Sequence, residues 1–280
     1  MFYLIGLGLN ENSITAEALQ AIQKSDKIYL ENYTVDFPYS IKDLEKSINK
    51  LLKSFGNPKI LENSSTKKGG SSATAELEES NLISKTAKTN TNKKTKIIPL
   101  PREKVEDESI ISQAKNQNIS LLVYGDALSA TTHISLISTC KNQKIKYKIF
   151  HNTSILTAIA ETGLQLYKFG KTASMPNWQE HKNKPTSFIN YIKQNQSIKA
   201  HTLLLIDINL PLKNAKQQLQ QAAEKEKLKL SKIILLSNAG TDKQKISYNT
   251  LDKLPNTTPP PYTLIIPSDL HFSEEEFLSR

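Results

Sequence analysis

Residues 121–126, Leu-Leu-Val-Tyr-Gly-Asp, constrain the fold of this chain more than any other segment. An apolar run ends there at a Gly-Asp pair, a turn of small residues follows, and Thr132 and His133 open a helical pattern. Such a run is typical of a strand buried on both faces of a parallel sheet, and open α/β sheets bind ligands at the edge where their strands end. The segment therefore predicts an α/β fold with Asp126 at a ligand-binding edge, although a carboxylate at this position can also cap a helix or a turn.

Strands alternate with helices along the chain, which favours α/β architecture in both halves. The length of 280 residues suits one large domain or two small ones, and we predict domains at 1–150 and 151–280. Between about 57 and 96 the sequence is rich in Ser, Thr, Asn, Lys and Glu. Because such a segment cannot bury enough apolar surface to offset its ordering entropy, it predicts a disordered or weakly helical insertion; a basic arm that contacts a partner is the alternative.

Capping residues and hydrophobic periodicity predict where several helices begin and end. Thr15 or Ser13 is expected to cap the first helix, and Ser154 or Thr153 is expected to cap a later helix that ends at Gly163. Two further helices are predicted at about Val105–Asn116 and Ile246–Leu254.

The net charge of +10 suggests nucleic-acid binding at first sight. However, only two of the 37 basic residues are Arg, and the lysines are scattered with few aromatic residues between them. We interpret the charge as a compositional bias and expect no specific nucleic-acid partner. The alternative, a basic RNA-binding module, predicts an RNA affinity that falls steeply with salt.

Cysteine usage and hydropathy indicate the cellular compartment of the protein. The single Cys140 allows no disulfide within the chain, which fits a reducing cytoplasm, and its position on an apolar helix face predicts a buried structural thiol. Met1 leads directly into a strand without a basic leader, and no apolar stretch approaches the length needed to span a bilayer. We therefore expect a cytoplasmic protein without a membrane segment.

Familiar motifs for metal, nucleotide or nucleophile chemistry do not occur in the sequence. The five histidines form no H-x-x-x-H pair, and no Walker or G-x-S-x-G motif is present. The turn that starts at Gly6 is not a dinucleotide fingerprint, because Glu11 stands where its third glycine belongs. We therefore expect no metal site and assign no catalytic residue.

Small or apolar residues recur where the predicted strands end. Five such ends could converge on one cleft, which suits a large, partly apolar ligand held mainly by backbone groups. Asp126 and Asp207 are candidates for an acid–base pair, but nothing in the sequence brings them together. The five strand ends are Gly6/Gly8, Gly125-Asp126, Ser154-Ile155, Ile206-Asp207 and Ala239-Gly240.

Seven segments carry a family resemblance: FYLIGLGL, ITAEALQAIQKSDKIYLENYT, YGDALSATTH, HNTSILTAIAETGLQLYKFGKTAS, HTLLLIDI, NAGTDKQKI and LIIPSDLHFSEEEFL. In these segments, which occur in the family's order, the chain resembles diphthine synthase, a family of archaeal and eukaryotic methyltransferases that act on translation elongation factor 2. The resemblance covers nearly all of the chain outside 57–96. GLQLYKFGK and LHFSEEEFL are specific to the family, whereas the Gly-Asp strand end is shared with the wider tetrapyrrole-methylase-like fold.

The resemblance implies two α/β domains with a cofactor cleft between them, S-adenosylmethionine as the methyl donor, and a homodimer. The implied acceptor is the amine of a modified histidine that bears a 3-amino-3-carboxypropyl arm, and the archaeal product is the trimethylammonium species diphthine. Methyl transfer from a sulfonium depends mainly on alignment and exclusion of water. The family's cofactor contacts carry over to Leu9, Asp126, Ser129, Ser154, Ile155, Ile206, Ala239 and Tyr262.

The chain departs from the family's pattern at several points. Tyr262 stands where relatives usually have His, the usual Gly-Asp-Pro is Gly-Asp-Ala, and the region between Asp207 and Lys232 is shorter. Two rival interpretations stay open. One is a methyltransferase of the same fold that acts on a tetrapyrrole or another small molecule, and the other is a non-catalytic relative that binds S-adenosylmethionine without turnover.

Overall fold

The computed structural model describes residues 1–55, 95–181 and 183–279, which form two five-stranded sheets. The strands of the first sheet end at Phe150 and those of the second begin at Ala173, so each half of the chain builds one sheet. The insertion expected at about 57–96 lies outside the described residues, apart from its last two. Among the described residues, no helix combines the length and the apolar composition that crossing a bilayer requires.

The first sheet is parallel throughout, as the apolar run at 121–123 predicts. Its strands are β1 (Phe2–Gly6), β2 (Lys27–Glu31), β3 (Ile97–Leu100), β4 (Ile119–Val123) and β5 (Tyr147–Phe150). They lie in the order β3-β2-β4-β1-β5. Every residue of the central strand β4 is buried, which explains why its sequence shows no apolar–polar alternation.

Helices cover both faces of this sheet. Leu4 contributes to the core on one face, whereas Tyr3 and Ile5 contribute to the core on the other, as the two-residue period of a strand requires. Thr15 caps the first helix by accepting a hydrogen bond from the Ala18 amide at 3.3 Å, as predicted. The helices are α1 (Ala16–Gln23), α2 (Ile41–Phe55), α3 (Arg102–Glu106), α4 (Ser109–Gln113) and α5 (Ile134–Asn142).

The second sheet is mixed, in the order β6-β7-β10-β8-β9. Only the β6–β7 pair is parallel, and the other three pairs are antiparallel. Its strands are β6 (Ala173–Met175), β7 (Thr202–Ile206), β8 (Lys232–Ser237), β9 (Lys245–Thr250) and β10 (Tyr262–Ile266). The helices of this half are α6 (Ile155–Ala158), α7 (Ser187–Ser197), α8 (Leu212–Lys225) and α9 (Phe272–Ser279).

The two faces of the second sheet belong to different cores. Leu204 and Leu235 pack under α7 and α8, whereas Leu203 and Ile234 belong to a core that includes Leu9 of the first half. The second core therefore joins the two halves of the chain next to the turn that follows β1. α6 continues as a 3₁₀ helix that ends at Gly163 with φ of 84°, as the sequence predicts.

Two helix predictions are wrong. The segment predicted as a helix from Ile246 to Leu254 contains the edge strand β9, because its apolar and β-branched residues recur at every second position and β8 supplies its hydrogen-bond partners. The helix predicted at Val105–Asn116 is split into α3 and α4, since Glu108 adopts the left-handed conformation with φ of 57°.

The prediction of a buried, unreactive thiol is confirmed. Cys140 is fully buried in α5 within the core of the first sheet. Burial raises the pKa of its thiol to about 11, so the group is protonated at neutral pH. Its role is to fill the core.

Candidate functional site

One cavity of about 430 Å³ is lined by loops that follow strands of both sheets. Parallel strands end at the same edge of a sheet, so the loops after β1, β2, β4 and β5 leave the first sheet side by side. Loops of the second half complete the wall. All eight residues predicted to contact a cofactor line this cavity: Leu9, Asp126, Ser129, Ser154, Ile155, Ile206, Ala239 and Tyr262.

Glycines hold the ends of β1 and β4 together at the cavity. Gly8 and Gly125 exchange two backbone hydrogen bonds of 3.0 Å, and both adopt positive φ angles, of 74° and 72°. A Cβ atom on Gly8 would lie 2.5 Å from the Cβ of Ser13, and one on Gly6 would lie 2.7 Å from the Gly125 carbonyl oxygen. The two glycines of the first turn therefore permit a close backbone approach that no other residue allows.

Asp126 fixes the loops on either side of it. Its Oδ1 accepts hydrogen bonds from the Leu128 amide at 3.0 Å and the Ser129 hydroxyl at 3.3 Å. Its Oδ2 accepts from the Asn152 amide at 3.0 Å and lies 2.9 Å from His151 Nδ1. Burial acts to raise the pKa of Asp126, but the two backbone amides and His151 outweigh it, and the pKa is lowered. The carboxylate is therefore charged and joins the end of β4 to the loop after β5.

The loop after β5 is anchored by short polar side chains. Asn152 Nδ2 donates to the carbonyl oxygens of Gly6 and Ser13, at 3.1 and 2.9 Å. Ser154 caps α6 by accepting from the Leu156 amide at 3.2 Å, as predicted. The cap holds Ser154 and its neighbours at the cavity wall.

Asp207 reaches the same cavity from the second half, so the fold brings together the two carboxylates that the sequence could not relate. Its Oδ1 accepts from the Ile208 amide at 3.0 Å and its Oδ2 from the Asn177 amide at 3.1 Å. Like Asp126, it accepts from one backbone amide of its own loop and one of a neighbouring loop. Both carboxylates therefore shape the cavity through the loops that they hold.

Tyr262 uses its hydroxyl proton within the protein. The hydroxyl donates to the Leu210 carbonyl at 2.6 Å, and burial raises the pKa of the phenol, which stays protonated at neutral pH. A ligand in the cavity can therefore meet the ring or a lone pair of the oxygen, but not a free O–H group. This contact also ties β10 to the loop that follows β7.

One strand end of the first sheet carries cavity residues that the sequence pattern did not predict. Thr34, Val35 and Asp36 follow β2 and line the cavity, and Asp36 accepts from the Asn209 amide at 3.4 Å across to the second half. The available signal was the parallel order of the sheet, because β2 lies beside β4 and ends at the same edge. The described residues contain no group of three or more His, Cys, Asp or Glu side chains placed to hold a metal ion.

Two motifs that carry the resemblance meet around Glu274, which is fully buried. Its carboxylate accepts from the amides of Gln165 and His271, at 2.8 and 2.7 Å, and pairs with Lys168 Nζ at 2.5 Å. His201 Nε2 lies 3.2 Å from the same carboxylate. Residues of GLQLYKFGK and LHFSEEEFL are therefore joined by one buried acceptor, which we call the Glu274 cluster.

Comparison with known proteins agrees with this architecture. The family model of Tetrapyrrole (Corrin/Porphyrin) Methylases matches residues 1–255. The diphthine methyl ester synthase of Schizosaccharomyces pombe is 31% identical over 99% of this chain and 93% of its own length. The diphthine synthase of Methanocaldococcus jannaschii is 32% identical over 99% of this chain and 97% of its own length.

The fold points to the same relatives. A crystal structure of diphthine synthase matches with a TM-score of 0.76 and 26% identity, over 100% of this chain and 95% of the other. The match in fold thus extends over both sheets. The chain therefore belongs to the diphthine synthase family of methyltransferases, within the tetrapyrrole methylases.

Proposed function

We propose that the chain transfers methyl groups from S-adenosylmethionine to the amine of a modified histidine on translation elongation factor 2, giving diphthine. One observation carries the choice of methyl donor: the eight positions that match the family's cofactor contacts all line a single cavity between the two sheets. Membership of the diphthine synthase family supports the choice of acceptor.

The cavity fits such a methyl donor in size and chemistry. Its volume of about 430 Å³ lies in the range of small-molecule sites. Leu9, Ile155 and Ile206 supply apolar wall, while Ser129 and Ser154 add hydroxyl groups. The methyl donor would supply a methyl group activated on a sulfonium, with a neutral thioether as the leaving group.

The chain's own residues would align the reactants and exclude water. The hydrogen bonds of Asp126 and Asn152 fix the loops on one side, and the contact between Asp36 and the Asn209 amide spans from the first half to the second. Fixed loops reduce the motion that must be lost before an in-line displacement. The apolar wall keeps water from competing with the acceptor amine.

The test is a methylation assay with labelled S-adenosylmethionine and elongation factor 2 that carries the unmethylated precursor. We expect heat of binding for the methyl donor in calorimetry and label transfer to the modified histidine, with the methyl groups counted by mass spectrometry. Absence of binding heat contradicts the proposal at the donor site. Binding without transfer to the elongation factor favours the non-catalytic relative or the small-molecule methyltransferase.

A second product follows from the names of the relatives. The Schizosaccharomyces pombe and Dictyostelium discoideum proteins are diphthine methyl ester synthases, whereas the Methanocaldococcus jannaschii protein is a diphthine synthase. Treatment of the methylated product with mild base distinguishes the two, because an ester loses its methyl group and a trimethylammonium group does not. Loss of one methyl group in base would assign the ester-forming activity to this chain.

We further propose a cytoplasmic homodimer, which buries an apolar surface beside the Glu274 cluster. Tyr167, Ile198 and Phe272 are 82%, 71% and 75% exposed. Asp269 contacts Lys168, which follows Tyr167, through its carbonyl at 2.8 Å, and Lys199, which follows Ile198, through its carboxylate at 3.3 Å, so the segments that carry these exposed side chains are neighbours. Light scattering should show a dimer for the wild type and a monomer for Phe272→Ser; a dimer that persists in this variant refutes the choice of surface.

A further inference from the structure

A second cavity, of about 320 Å³, adjoins the first. Thr34, Ala130 and Thr131 line both cavities, so a molecule in the second lies beside a molecule in the first. These residues come from the loops after β2 and β4, at the ligand-binding edge of the parallel sheet. The second cavity is therefore placed where a methyl acceptor has to approach.

Arg102 gives this cavity its chemical character. The chain contains only two arginines, and this one opens α3 at the cavity wall. Its guanidinium lies 5.3 Å from the centre of the Tyr33 ring, which also lines the cavity. An aromatic face orients a guanidinium while leaving its planar fork of N–H groups free for a carboxylate. A lysine would supply the charge but not the fork.

The present partner of Arg102 is easily exchanged. Its Nε lies 3.5 Å from Glu106 Oε1, one helical turn further along α3. Both side chains are more than half exposed, at 62% and 56%, and exposed ion pairs of this kind contribute little. A carboxylate that enters the cavity can therefore replace Glu106 at the guanidinium at small cost.

We propose that the second cavity binds the amino-carboxyl end of the acceptor arm, with Arg102 holding its carboxylate. The proposal rests on the proposed function, since that acceptor carries an amine and a carboxylate on the same carbon. When the carboxylate is held at Arg102, the amine lies one carbon away, towards the residues that both cavities share. Arg102 is then a recognition residue that selects α-amino acid chemistry and sets the direction of the amine.

The first experiment measures steady-state kinetics with elongation factor 2 that carries the unmethylated precursor. In Arg102→Gln we expect the KM for this acceptor to rise about tenfold or more, with a smaller change in kcat and an unchanged Kd for S-adenosylmethionine. Arg102→Lys should fall between this variant and the wild type. The matched control is Lys104→Gln, because Lys104 lies on the same helix, pairs with Asp107 and lines neither cavity.

The second experiment decides the proposal without turnover. We expect saturation-transfer NMR to detect millimolar binding of a probe, 2-aminobutanoate, to the wild type and no binding of this probe to Arg102→Gln. The carboxamide of the probe, which lacks the carboxylate, should bind to neither protein. An inactive wild type that binds the probe in this way refutes the proposed function but supports the assignment of the cavity. Equal KM values, or equal binding of the probe, in the wild type and Arg102→Gln overturn the assignment.

Discussion

Replacement of Glu274 by Gln should destabilise the protein strongly, although the change removes no volume and lies away from the cavity. The carboxylate receives hydrogen bonds from two backbone amides and from the side chains of Lys168 and His201. These four partners use all four lone pairs of the two oxygens. Because the amide of Gln presents N–H groups on one side, it turns two of the four contacts into donor–donor encounters.

Two arguments give the size of the stability that the Glu274 carboxylate contributes. Burial acts to raise the pKa of Glu274, but its hydrogen-bond donors outweigh this effect and lower the pKa from 4.5 to about 2. Since a factor of ten in proton affinity is worth about 1.4 kcal/mol, the charged form contributes about 3 kcal/mol of stability at neutral pH. Breaking a buried ion pair by removing one partner costs about 3–5 kcal/mol, which gives a similar expectation.

Urea unfolding of the wild type and Glu274→Gln over a range of pH is the measurement. Because the folded pKa of Glu274 lies below the unfolded value, its contribution is complete above pH 4.5 and is lost as the pH falls towards 2. Stability is also lost below pH 6.5 because of His201. Burial lowers the pKa of His201, so as the pH falls the unfolded chain binds this proton before the folded chain does. The stability of Glu274→Gln should therefore still fall below pH 6.5 but should lack the further fall between pH 4.5 and 2.

The exposed Glu275, next along α9, provides the matched control as Glu275→Gln. We expect this variant to unfold within about 0.5 kcal/mol of the wild type, as surface substitutions do. If Glu274→Gln also stays within that range at pH 7, or keeps the wild-type dependence on pH between 4.5 and 2, the reasoning from the buried acceptor is refuted.

Three further outcomes concern the cavity and its surroundings. Asp126→Asn should lower the free energy of unfolding by about 1–3 kcal/mol and weaken S-adenosylmethionine binding, because the amide meets N–H donors; calorimetry that finds wild-type affinity removes Asp126 from the site. Glu31 is buried, and burial raises the pKa of its carboxyl group more than the hydrogen bonds from the neighbouring Tyr33 and Thr34 lower it. Replacing it in Glu31→Gln should therefore raise the free energy of unfolding at pH 7 by about 1 kcal/mol, and this gain should disappear below pH 4.5. A variant that is less stable than the wild type at pH 7 contradicts this expectation. Tyr262→Phe should cost about 1 kcal/mol in urea unfolding, since the Leu210 carbonyl loses its donor, yet leave the Kd for S-adenosylmethionine unchanged; a weakened Kd would show that the hydroxyl serves the ligand.

Several features of the fold were predictable because they are local. The buried strand β4, the Thr15 and Ser154 caps and the Gly163 stop each depend on a few neighbouring residues and their hydrogen bonds. The errors at Val105–Asn116 and Ile246–Leu254 had different causes. One depended on a single left-handed residue, and the other on a distant strand that offered backbone partners.

For the site, the sequence by itself determined which segments end in small residues, and the family resemblance marked eight positions among them. Only the tertiary structure decided that these positions share one cavity, that the end of β2 joins them, and that Arg102 lines a second cavity alongside. The physical reason is that composition and spacing report contacts along one strand or one helix turn. Which strand ends become neighbours depends on the order of strands in a sheet, and the Glu274 cluster depends on segments about 70–110 residues apart, a separation that loop closure permits at little extra entropy.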